Sequence, residues 1–137
     1  MVHAMESAKT VLVSDSEAAA PVISKLGLGN RPVAAYTSWK ELAGEQSFSS
    51  IPVLVLHFHR PPKGIMLIAI ARLAHEYPGM QKVAVMDGPL PLPFAGYLTA
   101  CRVHLIWAGP EREKLDQLAS VVDRMHERTQ WVAGIGG

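Results

Sequence analysis

Two histidines and two aspartates stand where apolar runs end. His57 and His59 follow Val53-Leu-Val-Leu56, Asp15 follows Lys9-Thr-Val-Leu-Val-Ser14, and Asp87 follows Gln81-Lys-Val-Ala-Val-Met86. Imidazole is a competent nucleophile near neutral pH, so His57 is a candidate phosphohistidine carrier. Nearby acids oppose that role, because they repel a phosphoryl donor unless a metal neutralises them. Imidazole and carboxylate also suit zinc or another transition metal, and Asp15, His57, Asp87 and His59 are a candidate ligand set. No spacing motif supports that set, so no metal is assigned. The plainer reading is a strand-end histidine hydrogen-bonded to Asp15 or Asp87.

The elements that must position these groups alternate along the chain. Lys9 to Asp15 reads as a first strand, and Ser14 or Ser16 can cap the helix after it. Glu17 lies in the first turn, Pro21 is tolerable only near that start, and Gly27 and Gly29 stop the helix. Pro32 to Tyr36 is a second strand, and Ser38-Trp-Lys-Glu41 has the capping-box spacing of a second helix. Val53 to Leu56 is a continuous apolar run, as suits a strand covered on both faces of a parallel sheet. Gly64 to Tyr77 is a third helix, ended by Pro78-Gly79. Gln81 to Asp87 is a fourth strand, and the proline-stiffened Gly88 to Pro93 loop leaves Phe94 to Ala100 for a fourth helix. Arg102 to Trp107 is a fifth strand. Glu111 to about Thr129 is a fifth helix, with Leu115, Leu118, Val122 and Met125 on its inward face.

Five strands alternating with helices imply an α/β fold, a three-layer α/β/α sandwich around a five-stranded parallel sheet. The order 2-1-3-4-5, flavodoxin-like or receiver-like, is expected at this size. It brings Asp15, His57 and Asp87 together at the carboxyl ends of neighbouring strands, where open α/β sheets place their sites. Residues 9–129 form the domain, 1–8 an N-terminal extension, and 130–137, ending Gly-Ile-Gly-Gly, a linker-like tail.

Composition narrows the function classes. With 49% hydrophobic and 18% charged residues, the 137-residue chain is long and apolar enough for a packed core rather than disorder. Net charge is +1 and its cations are scattered over different elements, so nucleic-acid binding by this domain is not expected. Cys101 is the single cysteine and reads as a small core residue. Met1 to Lys9 lacks the apolar core of a signal peptide, and Ile65 to Ala71 is too short to span a bilayer. A cytoplasmic protein without membrane association is the expectation.

Val11-Leu-Val-Ser-Asp-Ser-Glu17, Thr37-Ser-Trp-Lys-Glu-Leu42 and Val53 to Gly64 together resemble the receiver domain of bacterial response regulators. They are similar to its acidic first-strand end, its second helix, and its phosphoacceptor strand with the following proline loop. The resemblance covers roughly residues 9–129. It implies a site at Asp15, Ser16, His57, Asp87 and Gly109. A working receiver carries an acidic pair, an Asp nucleophile, a Ser or Thr, and a Lys. Here Ser16 stands in for one acid, His57 for the nucleophile, Asp87 for the hydroxyl and Gly109 for the Lys. An acyl phosphate needs a carboxylate acceptor and a cation on the equatorial oxygens. Losing the Lys and gaining Asp87 both oppose transfer. The resemblance therefore implies a pseudo-receiver with a degenerate phosphorylation site, no catalytic residue and no cofactor.

Such a domain is expected to work in signal transduction or transcription control by protein-protein contact. It would homodimerise or restrain an output domain or partner protein. The third helix carries the first candidate surface, because Gly64-Ile-Met-Leu-Ile-Ala-Ile-Ala71 has no polar side chain while a helix on a sheet buries only one stripe. Ile65, Ile68 and Arg72 fall outside that stripe. Trp107 and Val121 are candidates on the fifth strand and fifth helix. His104 reads as a core or interface residue, and His3, His75 and His126 as surface residues. The alternative function is a small-molecule or metal sensor using a crevice of Asp15, His57, Asp87 and Trp107.

Overall fold

The computed structural model describes residues 10–28 and 31–136, with side chains described through Thr129. The expected extension 1–8, His3 and Gly29 lie outside them. Five strands form one parallel sheet: β1 Thr10–Ser14, β2 Val33–Tyr36, β3 Val53–Phe58, β4 Gln81–Met86 and β5 Val103–Ile106. Their order is β2-β1-β3-β4-β5, the flavodoxin-like arrangement. The register places Ser14 beside His57 and Phe58 beside Met86, so the residues ending β1, β3 and β4 meet along one rim.

Side chains alternate across a strand, and both faces of this sheet are covered. One face sends Val11, Val13, Leu54, Leu56, Ala84 and Met86 against Leu42, Ile70, Leu73 and Leu98. Those partners belong to α2 Trp39–Glu45, α3 Gly64–Glu76 and α4 Leu92–Ala100. The other face sends Leu12, Val53, Val55, Val83 and Val85 against Ile23, Leu115, Leu118 and Val122. Here the cover is α1 Ala19–Val22, its π-helical continuation Ile23–Gly27, and α5 Glu111–Gly136. Gly27 allows a close approach at this contact, since a Cβ there would lie 2.9 Å from a Leu118 methyl carbon, which would have to shift.

Local signals act largely as expected. The Ser16 hydroxyl accepts from the Ala19 N–H at 3.3 Å, and Pro21 sits in the first turn of α1, where its missing N–H costs nothing. Ser38 caps α2 by accepting from the Glu41 N–H at 3.0 Å. Three differences stand out, two of them with a clear cause. Helix α4 begins at Leu92, because a proline at its second position is compatible with a first turn. Arg102 leaves the fifth strand and takes a left-handed φ of 62°, since its N–H closes α4 on the Thr99 carbonyl. Helix α5 runs past Thr129 to Gly136, so the stretch expected as a linker continues the helix.

Two expectations on α5 and one on β5 are corrected. Val121 is buried, as is His126 at 1% exposure. A helix lying across a sheet hides a stripe wider than one line of residues, and Val121 and His126 flank the expected line. His104 is exposed rather than a core residue, on β5, an edge strand with only one neighbour.

His126 ties α5 to the start of β1. Its Nε2 lies 2.7 Å from the Thr10 hydroxyl, which is itself fully buried. Burial, and next the Arg31 charge, push the imidazole down to about 4, against a weaker pull from Asp123. The folded chain therefore holds this ring neutral where the unfolded chain protonates it. Stability is lost as pH falls from about 6.5 towards 4, by on the order of 3 kcal/mol. Urea unfolding at pH 7.5 and pH 4.5 checks this. His126→Gln, which keeps a hydrogen-bonding group but cannot titrate, should lose markedly less stability across that interval.

Candidate functional site

The rim residues form one hydrogen-bonded chain. His57 is the penultimate residue of β3, with 2% of its surface exposed. Its Nδ1 lies 2.8 Å from Ser14 Oγ on β1 and its Nε2 lies 2.8 Å from Asp87 Oδ1 after β4. His59 brings its Nδ1 to 2.9 Å from the other Asp87 oxygen, so one carboxylate serves two imidazoles. Burial alone would raise the Asp87 pKa. The hydrogen bonds from His59 and His57, with the charges of His57 and Lys114, outweigh it and hold the carboxyl below its usual range.

Proton placement follows from acceptor counting. The Asp87 carboxylate only accepts, so His57 Nε2 carries a hydrogen. The Ser14 hydroxyl has one hydrogen and two acceptors in reach, His57 Nδ1 at 2.8 Å and the Ser16 carbonyl at 3.0 Å. With a neutral ring it donates to Nδ1. With a charged ring it turns to Ser16 and accepts from Nδ1. Both states leave every polar group paired, so the buried imidazole is held in place in either.

Asp15 is spent differently. Its Oδ1 accepts from the His59 N–H at 2.7 Å and its Oδ2 from the Arg60 N–H at 3.3 Å. The carboxylate thus fastens the loop that leaves β3. Ser16 holds the start of α1. Gly109 has a φ of +98° and precedes α5 at the surface. The cation near Asp87 comes from Lys114, one turn into α5, whose buried ammonium donates to the Met86 carbonyl at 2.7 Å. Among the described residues, no group of three or more His, Cys, Asp or Glu is arranged to hold a metal ion.

Sequence reasoning placed Asp15, His57 and Asp87 at one rim, and the structure puts them there. It passed over Ser14 as a partner of His57, and over Lys114. Both carried a signal. Ser14 is the polar residue before Asp15 on the register of His57, and Lys114 lies four residues before Leu118 on the buried stripe of α5.

Beside the rim lies a cavity of about 580 Å³, open to solvent. Asp15, Ser16 and His57 form its inner wall, with Trp39, Arg60 and Lys63 around them. Neither Asp87 nor Trp107 lines it, so the expected crevice has Trp39 from α2 as its aromatic wall. The reason is topological: Trp107 follows β5, two strands away from β3. Ile65, Ile68 and Arg72 are exposed on α3, Ile65 by 80% and Ile68 by 62%, and Trp107 by 43% after β5. The Arg60-Pro-Pro-Lys63 loop therefore leaves the outer face of α3 uncovered.

No family model matches this chain. No curated protein matches it either. Among solved structures it is similar to a Burkholderia pseudomallei protein described as pilus assembly-related. The TM-score is 0.69 with 12% identity, over 90% of this chain and 92% of that one. At that identity the likeness is one of fold. No helix among the described residues is long and apolar enough to cross a membrane.

Asp87→Asn removes the charge that both imidazoles face. It should cost about 1 kcal/mol near neutral pH, a value reduced by the partial exposure of the carboxylate. Because the folded-state pKa is lowered, Asp87 contributes stability above the unfolded value of 3.8, and that contribution is lost as pH falls through the lower folded value. Wild type and variant should therefore converge in urea unfolding at strongly acid pH. A constant gap would show that the carboxylate's charge is not what matters.

Proposed function

We propose that this chain is a receiver-like regulatory domain that does not transfer phosphate and works by protein-protein contact. The observation that carries the reading is the state of His57, at the position where the receiver resemblance requires a nucleophile. It is 2% exposed, and both ring nitrogens are engaged. A phosphoryl acceptor needs a free lone pair and an open approach, and this imidazole has neither. The remaining parts are diverted too. Asp15 holds a loop, Asp87 is an anion where phosphate oxygens would sit, and Lys114 is committed to a backbone carbonyl.

The contact surface in this reading is the outer face of α3, where Ile65 and Ile68 stand in solvent. Removing such side chains from water contributes several kcal/mol at ~25 cal/mol per Å², enough to support docking or self-association. A cytoplasmic role in bacterial signal transduction or transcription control fits a non-enzymatic domain of this kind, acting on an output domain or partner protein. Pilus assembly, the description attached to the Burkholderia protein of like fold, is a second setting for the same docking role.

A second reading is favoured by the 580 Å³ cavity, whose Trp39, Arg60 and Lys63 suit a small anionic, planar ligand. In that case the chain senses a metabolite rather than a partner.

Incubation with acetyl phosphate and magnesium, followed by intact-mass measurement, tests the first reading. The mass should stay unchanged. Gain of one phosphoryl group, lost again in His57→Asn, would overturn it. A thermal shift with a small anionic ligand, abolished by Trp39→Ala, would favour the sensor.

A further inference from the structure

Two exposed apolar surfaces lie on opposite faces of the sandwich. On one, Ile65 and Ile68 of α3 border a groove of about 520 Å³ against α2, floored by Trp39 and Phe48. Its charged residues are Lys40 and Arg72, with the single acid Glu76. On the other, Val22 and Leu26 stand out beside α5, exposed by 41% and 59%. There Glu111 and Asp116 line the surface with Arg112, and Lys25 is exposed next to Leu26. Each surface is apolar at its centre; the groove carries more cations than acids, and the shoulder offers two acids, Glu111 and Asp116.

We propose that these surfaces are the two halves of one interface, the α2/α3 groove of one copy receiving the Leu26 shoulder of a second copy. This rests on reading the chain as a docking domain and names its partner. Charge complementarity selects the pairing. Groove against groove would set Lys40 and Arg72 beside the same cations, whereas groove against shoulder sets them beside Glu111 and Asp116. The geometry then fixes the kind of assembly. The groove belongs to the α2, α3 and α4 layer, and the shoulder to the α1 and α5 layer across the sheet. A contact between different surfaces on opposite faces is head-to-tail and leaves one free half at each end. Copies therefore add in a row, layer upon layer, instead of closing as a two-fold dimer. The contact is rimmed by exposed charges, so salt weakens it.

Sedimentation velocity on the full chain tests this with Ile68→Glu and Leu26→Glu. Both residues are exposed, so neither change disturbs the core, and far-ultraviolet circular dichroism verifies folding. In wild type the average mass should climb with concentration beyond that of a dimer, and fall when salt is raised. Each variant alone should be monomeric, because each puts a carboxylate into the apolar contact. An equimolar mixture should regain a one-to-one complex and stop there. The intact groove of Leu26→Glu takes the intact shoulder of Ile68→Glu, and the remaining ends repel. A wild type that stays monomeric, one that stops at a dimer, variants that still assemble, or a mixture that fails to pair would each overturn the interface. A monomeric wild type whose mass is unchanged by acetyl phosphate would sink this interface alone. Phosphoryl gain would sink the reading beneath it.

Discussion

A buried imidazole tied to two neighbouring strands governs the carboxyl rim of this sheet. His57 spans from Ser14 on β1 to Asp87 after β4, and Asp87 reaches on to His59. Placing a ring at 2% exposure carries a desolvation cost that only full pairing offsets. The pairing is possible because the parallel register sets Ser14 directly beside His57. Lys114 then closes the arrangement from α5 by holding the carbonyl of the residue before Asp87. The rim is thus a satisfied polar cluster joining three strands and a helix.

Within that cluster both ring nitrogens of His57 and both oxygens of Asp87 have partners, and Asp15 accepts from the backbone of the loop after β3. What remains open lies beside the cluster, in the cavity walled by Trp39, and outside it, on α3. The stacked rings of Trp39 and Phe48, 5.5 Å apart, are tied in turn to Tyr77 just beyond the end of α3. The groove floor is therefore held by aromatic packing rather than by a mobile loop.

The two outer layers of the sandwich differ in how they meet water. The α1 and α5 layer buries a wide stripe that takes in Val121, Lys114 and His126, and it leaves Val22 and Leu26 standing at its margin. The α3 helix buries Ile70 and Leu73 and leaves Ile65 and Ile68 outside, because its apolar residues continue round the helix further than one sheet face can cover. Lys40 and Arg72 line the groove beside α3, and Glu111 and Asp116 the margin beside Leu26.

Much of this was legible in the chain itself. Apolar runs of strand length, alternating with helix signals such as Ser38 before Glu41, determined the five parallel strands and their order, because right-handed crossovers leave few arrangements. Strand-end polar residues then determined that Asp15, His57 and Asp87 share a rim. Tertiary structure decided what that rim does. Whether a histidine is open or sealed depends on which hydroxyl and carboxylate lie across the sheet, and Ser14 and Lys114 come to His57 and Asp87 from 43 and 27 positions away. Burial of Val121 and His126 and exposure of His104 were likewise set by the width of contact between α5 and the sheet and by the edge position of β5. Local sequence specifies the elements through hydrogen bonding and periodicity. Packing between distant elements settles which polar groups are free to act.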